Sequence, residues 1–444
     1  MDVRLSQTKI RPFAVVLALL LLYCVIQLAV QIHQQSASDY ATYWFASTFI
    51  NAHPGCDIYS AAGERGMHLF FSAHPIHRLF CEEFENTQTP FFYWLIGLTK
   101  TGDVLRDTRI FQTLSMGTFG FALLYFFSRN QVSMNTGLLL SIYALAFFPP
   151  LRSDVANANT NRLLLSIVAF NLLLAKQSWR ATHFFSWVFW GMAVTLKPTI
   201  IMAPCLLFCS HIVGRQFRLL RSEAFGFLTG LTTAFLTSSI YCSNWTAWHS
   251  WLVRILSLPL SASPLEHFNF SLPQLCFNAM NCDISRITML VLLPLSFLAP
   301  LIIIHRALSH RRVPLPLRTY KPGQDLDYLV VCIGLLIYLL WSPLVWVHYN
   351  LLCLPLLIFL VQRNLVQQPL KCWGDFLKAG CTGVAVFLLS YFSTFLGLGG
   401  RNTLLILGSL IWSGTAILFV LGLIHLPKVI RMDPVREPSE VEPK

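Results

Sequence analysis

Apolar runs of membrane-spanning length recur along the whole chain, parted by short polar or basic connections. About 20 apolar residues are needed to cross a bilayer core of roughly 30 Å as a helix. Helices also satisfy their own backbone polar groups in lipid. The pattern predicts helices at about 12–32, 110–128, 132–150, 160–175, 182–196, 198–213, 222–242, 287–305, 328–342, 347–362, 376–394 and 402–425. That makes an all-α polytopic membrane protein of about twelve spans. Thr89–Thr99 (TPFFYWLIGLT) is too short to span and reads as a helix lying on or dipping into the interface. Ser36-Ala37-Ser38 faintly resembles a leader cleavage site, but the run Pro12–Ile32 exceeds the roughly 7–15 residues of a signal h-region, so a retained first helix is expected.

Composition agrees. Of 444 residues, 55% are hydrophobic and 12% charged, against about 25% charged in soluble domains. The net charge of +12 invites a nucleic-acid reading until the threading is considered. With the N-terminus inside, 21 of the 32 Lys and Arg fall in the inner segments, as the positive-inside rule requires. Topology then accounts for most of the charge, and no nucleic acid is implied. Both termini are expected in the cytoplasm. The outer side would carry the loops at about 33–109, 150–160 and 243–286. A single transmembrane domain would occupy 1–425, and the Pro- and Glu-rich tail 426–444 reads as disordered. No P-loop is present, which argues against an ATP-driven machine. Cys56–Cys81 and Cys276–Cys282 are candidate disulfides if the outer side is oxidising, and no Cys/His group has zinc spacing.

Charges near a membrane are costly and tend to mark function or a partner. Five places stand out, all on the outer side of this threading. Asp39, in SASDYATYW, is the only acid between Asp2 and Asp57 and follows the first apolar run; it is either an ordinary acid at a helix end or a base held at the boundary. Lys197-Pro198 interrupts an apolar stretch, and the proline disfavours helical backbone at the lysine. A lysine at such a break either snorkels or binds an anion. In FPPLRSDVANANTNR, Arg152 and Asp154 sit at the outer mouth, and Asn157, Asn159 and Asn161 are either helix caps or readers of sugar hydroxyls. WSPLVWVHYN gathers Trp346, His348, Tyr349 and Asn350. HFNFSLPQL is a polar insert in the third loop. One-sided clustering favours an enzyme whose site opens outward over a transporter with a midplane site.

These residues resemble glycosyltransferase family 87, the polyprenyl-phosphate-mannose-dependent mannosyltransferases of the GT-C superfamily. The likeness lies in D-x-x-x-Y-W-x-A (Asp39, Tyr43, Trp44, Ala46) followed by G-x-x-x-Y (Gly55, Tyr59). It continues with Gly191 through Lys197-Pro198, with Asn269, Ser271 and Leu272, and with Ser342, Pro343, Trp346 and His348. The motifs run in order from about 39 to 349. Two elements depart: Ala158-Asn159 stands for the family's Gly-Gln, and Val347 where an acid often precedes the histidine.

The resemblance implies a GT-C-type bundle in a cell membrane, that of a bacterium, with its active site on the outer face. It also implies transfer of a hexose, mannose first, from a polyprenyl-phosphate donor to a glycolipid or polysaccharide hydroxyl. The leaving phosphate needs no general acid, so one base suffices for inversion, unlike the paired carboxylates of hydrolases. Asp39 is the expected base. Lys197 and His348, with Arg152 on position and charge alone, are expected at the donor phosphate. Tyr43, Trp44 and Trp346 can stack on sugar or lipid, and Asn159 and Asn161 can bind hydroxyls. The scheme asks for no cofactor and no metal. A flippase for a lipid-linked saccharide, and a non-catalytic subunit of the same fold, are the rival readings.

Overall fold

The computed structural model describes residues 12–34, 38–73, 88–177, 180–257, 269–309, 325–342, 344–390 and 401–432. His267 and Cys81 lie outside them. The described chain is helical, with an isolated β-bridge between Asn269 and Trp346. In order the helices are α1 (Pro12–Gln34), α2 (Ser38–Ala52), α3 (Ala61–Ser72), α4 (Pro90–Thr99), α5 (Val104–Arg129), α6 (Met134–Ile142), α7 (Pro149–Ala156), α8 (Asn161–Lys176) and α9 (Arg180–Leu196). There follow α10 (Met202–Val213), α11 (Phe217–Cys242), α12 (Ala247–Ser257), α13 (Leu272–Met280), α14 (Leu293–Ser309), α15 (Asp325–Trp341), α16 (Leu354–Val361), α17 (Trp373–Leu388) and α18 (Arg401–Met432).

Among the described residues, six helical stretches are long and apolar enough to cross a membrane: Phe13–Ile32, Val104–Arg129, Leu219–Cys242, Ser285–Ser309, Val347–Val366 and Asn402–Ile430. A seventh is added if Met134–Phe147 and Pro149–Ala156, bent by 56°, form one span. The chain is a multi-pass membrane protein. The other expected helices exist, but α8, α9, α10, α15 and α17 have only 16, 17, 12, 17 and 16 residues. At 1.5 Å per residue these fall short of a full crossing, so the expectation of about twelve spans stands at six or seven on length and apolarity. The last helix also runs further than the sequence suggests. The helix continues to Met432, and Leu426, Val429 and Ile430 are buried, so 426–430 is packed helix rather than tail.

The segment expected as a long loop, 33–109, holds α2, α3, α4 and the start of α5 among the described residues. α4 is capped by Thr89, whose hydroxyl accepts from the Phe92 amide at 3.2 Å. Its Phe91, Phe92, Tyr93 and Ile96 are buried, against α2 and α11. The candidate disulfide in the third loop does not form. Cys276 is fixed on α13, Cys282 lies beyond that helix's left-handed cap Asn281, and both are free thiols.

Packing follows the sequence. α15 is apolar around its circumference and is buried almost throughout, as a helix at the centre of a bundle must be. α1 is apolar but largely exposed, with Leu19, Leu22, Val25 and Ile26 facing outward, as expected of a lipid-facing helix. α9 and α11 approach with their backbones nearly touching. A β-carbon on Gly230 would stand 2.1 Å from the Val188 carbonyl oxygen, and one on Gly191 would stand 2.4 Å from that of Phe227. Small residues permit such contact between membrane helices. Gly230→Val should therefore force the pair apart and cost about 1–3 kcal/mol or more. Gly120→Val, whose β-carbon meets nothing within 4 Å, should leave stability nearly unchanged. Thermal unfolding of the two variants in detergent checks the contrast.

Candidate functional site

Pro198 acts as the sequence predicts. α9 ends at Leu196, Lys197 is extended (φ −149°, ψ 105°), and a short 3-10 turn, Pro198–Ile200, leads into α10. The break aims the Lys197 side chain inward, where it is 3% exposed. Its ammonium donates to Asn159 Oδ1 at 2.8 Å, to Asn161 Oδ1 at 3.2 Å and to Thr160 Oγ1 at 3.4 Å. It also lies 4.3 Å from the centroid of the Tyr349 ring. Each of these is a neutral partner. Among the described residues no carboxylate reaches the ammonium within salt-bridge distance.

Asn159 is the hinge of the cluster. Its carbonyl holds Lys197, while its amide nitrogen donates to Asp39 Oδ2 at 2.6 Å and faces His348 Nε2 at 3.1 Å. Two N–H groups pointed at a carboxylate and an imidazole make Nε2 the acceptor, which puts the histidine's proton on Nδ1; that tautomer is assigned from the network. Tyr43 OH lies 3.4 Å from the same amide nitrogen. The cluster thus joins Asp39 and Tyr43 from α2, Asn159 from the turn before α8, Lys197 from the helix break and His348 from the 3-10 turn Val347–Cys353. Asp39 is half-buried, and loss of water pushes its carboxyl up to about 6, against the opposing pull of Asn159 and Lys197.

The turn that presents Asn159 is held from below. Asp154 and Arg162, both fully buried, form an ion pair at 2.6 Å, and Arg162 also donates to Gln112 Oε1 at 2.5 Å. Asp154 Oδ1 accepts from the backbone and side-chain nitrogens of Asn161 at 3.1 and 3.0 Å. Ala158 lies between, with φ 51°. That left-handed backbone is where the resembled family carries glycine, and an alanine there costs about 1 kcal/mol. On the facing chain, Asn269 Oδ1 accepts from the Val345 amide at 3.0 Å and the Phe270 amide donates to the Val345 carbonyl at 2.8 Å. The two motifs named from sequence, around Asn269 and around His348, are therefore one assembly.

Three expected residues, Trp44, Asn161 and Arg152, take other positions, and a fourth, Trp346, stays at the cluster. Trp44 is buried against α5, its indole N–H donating to Asp107 Oδ2 at 2.9 Å, so it is no sugar platform. Asn161 is fully buried and spends its amide on Asp154, Lys197 and the His348 carbonyl, beneath the cluster rather than on its surface. Arg152 lines a groove of about 370 Å³ with Tyr23, Gln27 and Gln31 of α1, and Lys197 is not part of that lining. Trp346 is half-buried and stacks on His348, with ring centroids 5.9 Å apart. The sequence carries one sign of the Arg162–Gln112 support, since Gln112 is a polar residue in an apolar span.

The sequence reading marks polar places on the outer side alone. The structure corrects that. His183, Glu223, His211 and Asp327 form a buried chain in that order, with contacts of 3.0, 2.7 and 3.2 Å in turn. These residues lie at the opposite ends of α9, α10, α11 and α15, roughly 20 Å from Lys197 along α9. The two polar clusters are separate. Comparison with protein-family models, curated proteins and solved structures returned no match.

Breaking the buried ion pair from one side leaves a charge without a partner, so Arg162→Met should cost about 3–5 kcal/mol and lower the unfolding temperature sharply. Ala158→Gly should raise it, by relief of about 1 kcal/mol. Differential scanning fluorimetry of both variants measures the two shifts.

Proposed function

We propose that this chain is a membrane glycosyltransferase that moves a hexose, mannose by the resemblance, from a polyprenyl-phosphate donor to an acceptor hydroxyl. The reading places the reaction on the outer face of a bacterial plasma membrane, with both termini in the cytoplasm and a glycolipid or polysaccharide as acceptor. One observation carries it. Residues remote in sequence bring a half-buried carboxylate and an ammonium without a carboxylate partner to the same asparagine, where they do not touch.

That arrangement suits a phosphate leaving group. Asp39 takes the proton from the acceptor hydroxyl as oxygen attacks the anomeric carbon from the face opposite the phosphate. The C–O bond to phosphate breaks, and the phosphate keeps the electron pair. Inversion follows from in-line attack. Lys197 supplies the charge that the departing phosphate needs, and neutral partners keep it available; oriented cations of this kind commonly supply the largest share of transition-state stabilisation. Asn159 fixes the distance between base and cation. His348, which accepts from Asn159 at Nε2, positions that amide rather than offering a second positive charge. Tyr43 and the Trp346 face border the same cluster and can meet the sugar.

The test is transfer from radiolabelled polyprenyl-phosphate-mannose to extracted membrane glycolipids. Asp39→Asn should lower turnover by about 10²–10⁴-fold while leaving donor binding in place, and Lys197→Gln should weaken donor binding. In wild type the rate should rise with pH through about 6, where the Asp39 carboxyl loses its proton and becomes able to accept one. Equal turnover in Asp39→Asn would remove the residue from the chemistry. Tight donor binding without transfer would favour the flippase reading, which a two-sided lipid-scrambling assay then decides. Neither binding nor transfer would favour a non-catalytic subunit.

A further inference from the structure

The end of the bundle opposite Lys197 carries a second feature. The span Val347–Val366 closes in a π-turn, Gln362–Val366, and the chain continues through Gln367, Gln368 and Pro369 to α17. This stretch, the start of α15 and the last turns of α18 enclose a cavity of about 240 Å³ lined by Asp325, Arg363, Gln367, Gln368, His425 and Lys428, among others.

Positive charge there exceeds negative. Asp325 is already held by Arg129 at 2.5 Å and reaches Arg363 only at 3.6 Å. Asp375, the other carboxylate nearby, is taken by Lys378 at 2.7 Å and by the Gln368 amide at 2.5 Å. Lys428 faces Lys378, a like charge. Among the described residues, four cations therefore share two carboxylates, and Arg363 and Lys428 have the least compensation. Both line the cavity. Arg363 also donates to Gln367 Oε1 at 3.4 Å, which leaves the Gln367 amide nitrogen and the Gln368 amide oxygen beside the cations as hydrogen-bonding groups for hydroxyls.

The rim is apolar and turned outward. Leu365, Val366, Leu370, Phe376 and Leu377 are exposed, and Trp373 is 77% exposed and stacks on Phe376 with centroids 5.5 Å apart. A soluble anion has no use for such a rim, whereas acyl chains do. Aromatic residues of this kind sit at headgroup level, and basic pockets between membrane helices bind anionic headgroups.

We propose that this cavity is a binding site for an anionic glycerophospholipid. Its phosphate lies between Arg363 and Lys428, its headgroup hydroxyls meet Gln367 and Gln368, and its chains lie along Leu370, Trp373 and Phe376. The site is independent of the transfer reaction proposed above.

Quenching of tryptophan fluorescence in delipidated, detergent-purified full-length protein tests this, with brominated phosphatidylglycerol as the probe. Saturable quenching by phosphatidylglycerol, absent with brominated phosphatidylcholine and removed by Trp373→Phe, is the expected result. Arg363→Gln with Lys428→Gln should raise the half-saturating lipid concentration at least tenfold, and Arg363→Lys with Lys428→Arg should restore it. Equal quenching by the two lipids, or unchanged affinity in the glutamine variant, would overturn the proposal. So would inorganic phosphate that displaces the brominated lipid and raises the unfolding temperature as far as the lipid does, because the site would then be one for soluble phosphate. Circular dichroism of the glutamine variant separates lost binding from lost fold.

Discussion

An ammonium group buried in a bundle of helices must find oxygens, or it loses its charge or the fold. Lys197 is that group. Pro198 denies the helix its continuation, the lysine takes extended backbone, and its side chain enters the interior. The oxygens of Asn159, Thr160 and Asn161 meet it, from one short turn. That turn in turn needs a rigid support, which the Asp154–Arg162 pair and Gln112 supply. The position of Asp39 follows last, because its carboxylate is bound to the same asparagine and its backbone N–H donates to the Asn157 carbonyl at 3.1 Å. The chain of dependence runs from a proline in one helix to a carboxylate in another.

The same constraint sorts the rest of the molecule. Polar side chains that cannot be paired are costly in the interior, so they gather at the two ends of the bundle in separate networks. Between the ends the packing is apolar and close, with α15 at the centre and glycine contacts fastening α9 to α11. Gly191 has two meanings as a result. In the motif it opens the stretch ending in Lys197-Pro198, and in the structure it seats α9 on α11. A packing contact thus lies 6 residues before the lysine it helps to aim.

Much of this was legible in the chain, and the failures have a common cause. Apolar run length gave the helices, and the Lys197-Pro198 pair gave the break, because both effects are local. Asp39, Lys197 and His348 were marked as out of place and do converge. Trp44 was misplaced because the segment around it reads as a loop. On α2, Tyr43 follows Asp39 by 4 residues and shares its face, while Trp44, one residue further, is turned by about 100° toward α5. Arg152 and Asp154 part for the same reason, since positions two apart on a helix do not share a face. Asn161 could not be separated from Asn159 by type; only the fold shows that one lies beneath the other. The His183–Glu223–His211–Asp327 chain escaped notice because its members are scattered singly over four helices and meet only in three dimensions.

The departure at Ala158 bears on how the site is held. A glycine would take the left-handed backbone at no steric cost, whereas alanine takes it at a small one. The strain is tolerated because both sides of the residue are fixed: the Asn159 amide donates to the Asp154 carbonyl at 2.9 Å, and the Ala158 amide to that of Val155 at 3.1 Å. Asparagine after it, being shorter than the glutamine of the resembled family, brings its amide within reach of carboxylate, imidazole and ammonium together only if the turn is tight. The changes at 158 and 159 therefore form one unit, a shorter side chain on a turn whose shape the buried ion pair maintains.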